Sequence, residues 1–456
     1  MRLTSAFGPP YRGFAVKPLQ VFRGPLAPRL DPPQMILKKW VKIKLSFLRV
    51  GFWVRNIKFF GFKLIMRFTG LGSVLVVSVM GFFVYLGVFM RVPLVPLYAR
   101  NMGASLVQVG FITSAFMAVA SLLAIPSGLM SDRFGRKFMV VMGAFISSIS
   151  SFLLAFSTNP NFLIFIYAFA GLGVAAFSPT VIAFVGDVSK TESLGLAYGL
   201  YTTIMATAMA SGPSVGGLSA ELFGYQNTFI WSGLVILVGV FVGFLAFPSK
   251  FDGRRRTETY WKDISSDFRK VAGNNLIFAC WVAAFCLSFG WGVAPAFLPL
   301  YGRKIGLGVV LVGLLFTVQS ASSAASRFPF GVLLDKVHGG KFFVVLGLGV
   351  LGLSTAMLTF FTDLTVLMGL MGLIGFAMGM AFVSLSSLIA EATDYVTRGL
   401  AMGVYSACFY GGMSVSPALL GSFITLYGYQ FGFGIAALLC FVGILVFSSL
   451  TFRFKA

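Results

Sequence analysis

Runs of about twenty consecutive apolar residues recur through most of this chain, and each is long enough to cross the hydrocarbon core of a bilayer. That recurrence leaves few folds open. In lipid an unpaired backbone amide is costly, so each run must bond to itself as a helix. Composition agrees, because 58% of the 456 residues are hydrophobic, 11% are charged, and Asp and Glu together number 13. So few carboxylates cannot solvate a surface of this size. The expectation is an all-α polytopic membrane protein.

Twelve spans are expected, near 71–97, 106–130, 138–157, 162–186, 195–220, 228–247, 275–300, 308–333, 342–361, 365–389, 399–424 and 431–451. The longest polar interruption, 248–274, carries Lys250, Arg254, Arg255, Arg256, Lys262, Arg269 and Lys270. It divides the spans six and six. Four regions follow: a basic extension over 1–70, an N-terminal six-helix bundle over 71–247, a cytoplasmic linker over 248–274, and a C-terminal six-helix bundle over 275–456. Residues 1–34, rich in proline and arginine without periodicity, read as disordered. Residues 35–69 alternate cations with large apolar side chains, a pattern suited to a helix lying on an anionic leaflet. Met35 and Met66 are alternative starts of the product.

A net charge of +22 would suggest nucleic acid in a soluble protein. Here the placement of the cations explains it. With loops assigned alternately to the two sides, 30 of the 35 Lys and Arg fall on one side. By the positive-inside rule that side is cytoplasmic, which puts both termini inside the cell membrane. Cys280, Cys286, Cys408 and Cys440 all lie within spans without metal-ligand spacing, and His338 is the lone histidine. No metal, cofactor or catalytic group is expected from these residues.

The two halves align with each other. Pro96, Leu97, Tyr98, Arg100 and Gly103 match Pro299, Leu300, Tyr301, Arg303 and Gly306 at an offset of 203, as Gly110 matches Gly313 and Pro126 matches Pro329. Beyond a charged link in each half the offset is 204, pairing Pro213 with Pro417 and Gly224 with Gly428. A duplicated six-span unit is a construction that places a site near the bilayer midplane.

The charged links carry more. The first holds Gly128, Asp132, Arg133, Gly135, Arg136 and Lys137; its weaker copy holds Gly331, Asp335, Lys336 and Lys341. On these residues the chain resembles the major facilitator superfamily over 71–452. The resemblance implies two pseudo-symmetric bundles of six transmembrane helices and transport by alternating access. It implies that the links are conformational latches, with Asp132 facing the N-terminus of span 11 near Arg398 and Gly399. A carboxylate is stabilised at that end of a helix. It also implies that Arg136 pairs with Asp187, locking the two halves together on the cytoplasmic side. Gly212, Pro213, Gly216 and Gly217 in span 5 resemble the glycine-proline motif of the drug:proton antiporter branch, although Ala208 stands where that branch usually has a further glycine. The competing account of this motif is a small-residue packing face.

Charges inside a bilayer are costly and point to function by default. Arg91 in span 1 is expected to meet an anionic substrate group, or to cap carbonyls freed by Pro93 and Pro96, or to reach the outer interface. Arg327 in span 8 is expected to support the hinge, with its stem reaching the inner interface. No Asp, Glu or His falls in the core of a span, so coupling to a proton stays open beside facilitated diffusion. The remaining cavity candidates are Tyr85, Tyr167, Tyr201, Trp291, Gln319, Tyr405 and Tyr410. An aromatic cavity with few polar anchors suits hydrophobic or amphipathic solutes. The function expected is therefore export of such small molecules by a monomer whose other partners are membrane lipids. An organic-anion carrier using Arg91, and a receptor or scaffold that kept the fold without transport, are the alternatives.

Overall fold

Helices in lipid associate through close backbone approach and a few polar contacts, because lipid tails are as apolar as the side chains they would replace. The computed structural model describes residues 69–189, 194–247, 268–337, 340–394 and 397–451. The expected N-terminal extension and most of the expected linker lie outside the described residues, as do the side chains of Asp132, Asp335 and Lys336. The principal helices are α1 (Thr69–Arg91), α2 (Leu94–Asn101), α3 (Leu106–Phe134), α4 (Arg136–Phe156), α5 (Pro160–Val188) and α6 (Leu194–Ala246), followed by α7 (Asn275–Lys304), α8 (Val309–Val337), α9 (Gly340–Met357), α10 (Leu364–Glu391), α11 (Arg398–Tyr427) and α12 (Tyr429–Thr451).

Eleven segments among the described residues are long and apolar enough to cross a membrane, with α1 and α2 counted as one. The twelfth crossing is inside α6. A continuous helix of its 53 residues would run about 80 Å, more than twice a hydrocarbon core of about 30 Å. Gly224, at φ 80° and ψ 166°, breaks it into two crossings. Gly428, its partner in the duplication, adopts φ 88° and separates α11 from α12. Gly103 and Gly306, another duplicated pair, turn at φ 88° and 89°. A side chain at such angles is strained, so the glycines mark where helices turn back.

In the first half α6 lies along α1 and α4, and α5 along α3 and α4; in the second, α10 lies along α8 and α9, and α12 along α7 and α9. Two long contacts join the halves, α3 with α11 and α6 with α8. They are images of each other under the duplication. A Cβ at Gly110 of α3 would run into the carbonyl of Pro417 in α11, and one at Gly313 of α8 into the carbonyl of Pro213 in α6. Ser114 and Ser414 each donate to the other's carbonyl, at 2.5 and 3.1 Å. Ser214 and Thr317 share a hydrogen bond of 2.6 Å, and Ser121 donates to Ala407 O at 2.8 Å.

These contacts all fall between the Gly103/Gly306 end and the middle of the helices. The inter-half contacts among the described residues thus gather toward the Gly103/Gly306 side of the seam. Tyr98 and Tyr301 brace that side as a further duplicated pair, donating to Ser157 O at 2.8 Å and Thr359 O at 3.0 Å.

The halves differ in their first crossing. The chain breaks between Arg91 and Leu94, where Pro93 caps α2. At the Arg91 position the second half has Ala294, and α7 runs unbroken through Pro295 and Pro299.

Candidate solute site at the seam

The hydroxyls of Tyr85 (α1), Ser178 (α5), Tyr201 (α6) and Tyr410 (α11) share one neighbourhood. Three come from the first half and one from the second, so the cluster lies on the seam. Tyr405, also on α11, continues it into the second half. Rings fill the space around the hydroxyls. Phe177 lies 5.8 Å from Tyr85, Phe382 of α10 lies 5.9 Å from Tyr405, and Phe409 stands between Tyr405 and Tyr410 at 6.5 and 6.2 Å. The hydroxyl of Tyr201 neighbours that of Tyr85, and the hydroxyl of Tyr405 neighbours Ser386.

Arg327 belongs to this neighbourhood. Its guanidinium lies 4.9 Å from the centroid of the Phe382 ring and beside Tyr405, and Nε has no partner among the described residues. Ten residues of helix, about 15 Å, separate it from the end of α8.

Arg91 is turned the other way. Its side chain is 1% exposed and points at α4 within the first half. Nη1 donates to Ser150 Oγ and Ser151 Oγ, both at 2.8 Å, and to Ser147 O at 3.4 Å. The Tyr167 ring lies 6.0 Å from its Cζ. Neither the carbonyls near Pro93 and Pro96 nor the interface receives it. The expected pairing with a substrate anion is replaced by bonds inside one bundle, and Nη2 stays unpartnered among the described residues. Tyr167 is therefore Arg91's neighbour, packed on Phe116 at 5.3 Å.

Trp291 and Gln319 also lie within their own half. Trp291 packs edge-on against Phe316 at 6.2 Å, and Gln319 Nε2 sits 3.5 Å from Met378 Sδ. Thus four of the eight expected cavity residues meet at the seam, and four do not. Sequence reasoning missed Ser178, Phe382 and Phe409, which carry no signal that separates them from packing residues. It also missed Ser147, Ser150 and Ser151, whose spacing along one helix face was a readable polar stripe.

In the first charged link, Gly135 turns the chain at φ 92° between α3 and α4. Arg136 Nε pairs with Asp187 Oδ2 at 3.1 Å, and its Nη1 donates to Ser131 Oγ at 2.6 Å. Both partners lie in the first half, so this pair ties α4 to α5 and does not lock the halves together. Arg133 lies 6.0 Å from the Phe134 ring and Lys137 5.7 Å from the Phe244 ring. In the second half, Lys341 Nζ caps Thr451 O at 3.0 Å. The span-5 motif faces two ways. Gly212 and Gly216 admit the backbone around Phe89 and Met90 of α1, while Gly217 admits Val309 of α8.

The Major Facilitator Superfamily profile matches residues 77–316 and 280–454. An uncharacterized MFS-type transporter of Methanocaldococcus jannaschii is 24% identical over 78% of this chain and 92% of its own length. A multi-drug resistance efflux pump homolog of Lactococcus lactis is 25% identical over 76% of this chain and 86% of its own. Multidrug resistance protein 2 of Bacillus subtilis is 24% identical, but the match spans 56% of this chain and 65% of the relative, just under two thirds. Among solved structures, the nucleoside transporter NupG superposes with a TM-score of 0.71 at 13% identity, over 83% of this chain and all of its own. A bacterial homolog of the human lysosomal transporter Spinster gives 0.67 at 13% identity, over 83% of this chain and 96% of its own. With a duplicated six-helix unit, a two-sided seam and a family profile that covers both halves, the chain is a multi-pass membrane transporter of the Major Facilitator Superfamily.

Proposed function

We propose that this transporter exports hydrophobic or amphipathic small molecules across the cell membrane, holding the solute against Tyr85, Tyr201, Tyr405 and Tyr410. The carrying observation is the position of that cluster, on the seam and next to the inter-half contacts that gather on its Gly103/Gly306 side. Alternating access needs a midplane site and two bundles that part on either side of it. The Bacillus relative is named for multidrug resistance and the Lactococcus relative for multi-drug efflux, which supports a drug-like solute.

On this reading the cation-rich links face the cytoplasm, both termini lie inside, and the contacts on the Gly103/Gly306 side are the outer seal. The first half comprises 71–247, the second 275–456, with 248–274 as the cytoplasmic connection and 1–70 as a basic extension against the inner leaflet. Asp132 and Asp335 act as latches at the cytoplasmic side, in a single chain surrounded by lipid. The carboxylates with described side chains, Asp187, Glu221, Asp363, Glu391 and Asp394, stand at helix ends or beside the Gly224 break. The reading therefore favours flow down the solute's own gradient, or proton coupling at the cytoplasmic ends, over a carboxylate relay at the seam.

The test uses the full chain in liposomes and an uncharged hydrophobic fluorescent dye, Nile red. Ser114→Cys with Ser414→Cys places a disulfide across the outer seal. Oxidation is expected to stop dye movement, and reductant to restore it. Equal transport by the oxidised and reduced proteins would end the proposal.

A further inference from the structure

We infer that the seam site selects organic anions with an aromatic or aliphatic body, and that Arg327 anchors the anionic group. This rests on the reading of the seam as the solute site.

Both described intramembrane cations need a partner, because a charge in low dielectric is costly until something compensates it. Arg91 finds three oxygens on α4 and is enclosed by its own half. Arg327 does not. It is only partly enclosed, joins neither of the ion pairs formed among the described residues, and touches the face of Phe382 through its guanidinium. A ring face is a weak partner compared with an anion. The guanidinium fork fits a carboxylate or sulfonate in two parallel bonds, which an ammonium could not do.

The surroundings supply the rest of a binding site. Phe382, Tyr405 and Phe409 offer rings to an apolar body beside the charge. The hydroxyls of Tyr405, Tyr410, Tyr85 and Tyr201 then lead from Arg327 across the seam into the first half. A solute with its anionic end at Arg327 would span both bundles, as a solute that couples to their rocking must. A lipophilic cation in the same place would meet a like charge.

Three probes share one ring system and differ only in charge: 2-naphthoate, 2-naphthamide and 2-naphthylmethylammonium. Binding to the purified full chain is expected to rank naphthoate first, about tenfold tighter than the amide, with the ammonium weakest. Arg327→Gln is expected to bring naphthoate within about threefold of the amide, and Arg327→Lys to retain part of the advantage, since it keeps the charge and loses the fork. Should Arg327→Gln fail to fold, the ranking in the unaltered protein still decides. An ammonium that binds as well as naphthoate, or a naphthoate advantage that survives Arg327→Gln, overturns the inference. Liposome uptake separates the two levels of the argument. If the dye and the ammonium are moved and naphthoate is not, the anion anchor is wrong while the transporter reading stands. If none of the probes moves, the seam is not a solute site and both fall.

Discussion

Arg91 and Arg327 meet the same problem in opposite ways, and the difference is a matter of neighbours. Arg91 stands at a chain break that frees its side chain to cross to α4, where serine oxygens accept from Nη1. Arg327 stands mid-helix against aromatic rings. Sequence made the cost of both charges visible, because an arginine among twenty apolar residues is conspicuous. It could not supply their partners, which lie on helices 50 or more positions away. If the serine bonds hold Arg91, then Ser150→Ala should lower stability by about 1 kcal/mol, in line with polar contacts inside membranes. Adding Ser151→Ala should cost less than a second full increment, since both hydroxyls accept from one nitrogen. Thermal unfolding of the full chain in detergent reads both numbers. An unchanged midpoint in the double variant would mean that Arg91 draws its compensation from elsewhere.

Elements were more legible than contacts. Apolar runs separated by glycine turns or charged links can only be helices that cross and return, so all twelve crossings could be bounded from the sequence. The boundary within α6 was legible too, because Gly224 and Gly428 fall at matching positions of the duplication. What could not be read was which helices the link residues join. Arg136 and Asp187 were expected to bridge the halves, and the structure puts them on α4 and α5 of one half. The side chain of Asp187 is 40% exposed, and such a pair contributes at most about 1 kcal/mol once solvent screens it. Asp187→Asn is therefore expected to lower stability slightly and to leave the balance of inward- and outward-open states in place. Asp132→Asn is the contrasting case. If Asp132 steadies the outward-open state by facing α11, this variant should shift the balance toward the inward-open state. Accessibility of single cysteines at the two ends of the seam measures both. A shift with Asp187→Asn and none with Asp132→Asn would reverse the two assignments.

At the scale of the whole molecule the duplication becomes a mechanical statement. The outer seal consists of two copies of one contact, a glycine of the second or eighth crossing against a proline carbonyl of the eleventh or fifth. All four residues were aligned in the sequence, yet nothing there set a glycine against a proline carbonyl. The reason is that reciprocity belongs to the arrangement of the halves and not to either half. A methyl group has no room at Gly110 or Gly313, and overpacking of this kind costs about 1–3 kcal/mol. If alternating access parts this contact, the cost falls on the sealed state alone. Gly110→Ala and Gly313→Ala should thus each move the population toward the outward-open state, by similar amounts, and the double variant should approach the sum because the two contacts are separate. Distances between spin labels at Leu222 and Tyr427, exposed near the sealed end of each half, would lengthen in step. Gly434→Ala, where a side chain meets open space, is the control and should change nothing. If one glycine variant shifted the distance and its duplicate did not, the two contacts would not be equivalent parts of one gate. The seal would then belong to a single pair of helices, and the symmetry would record the origin of the fold without governing its motion.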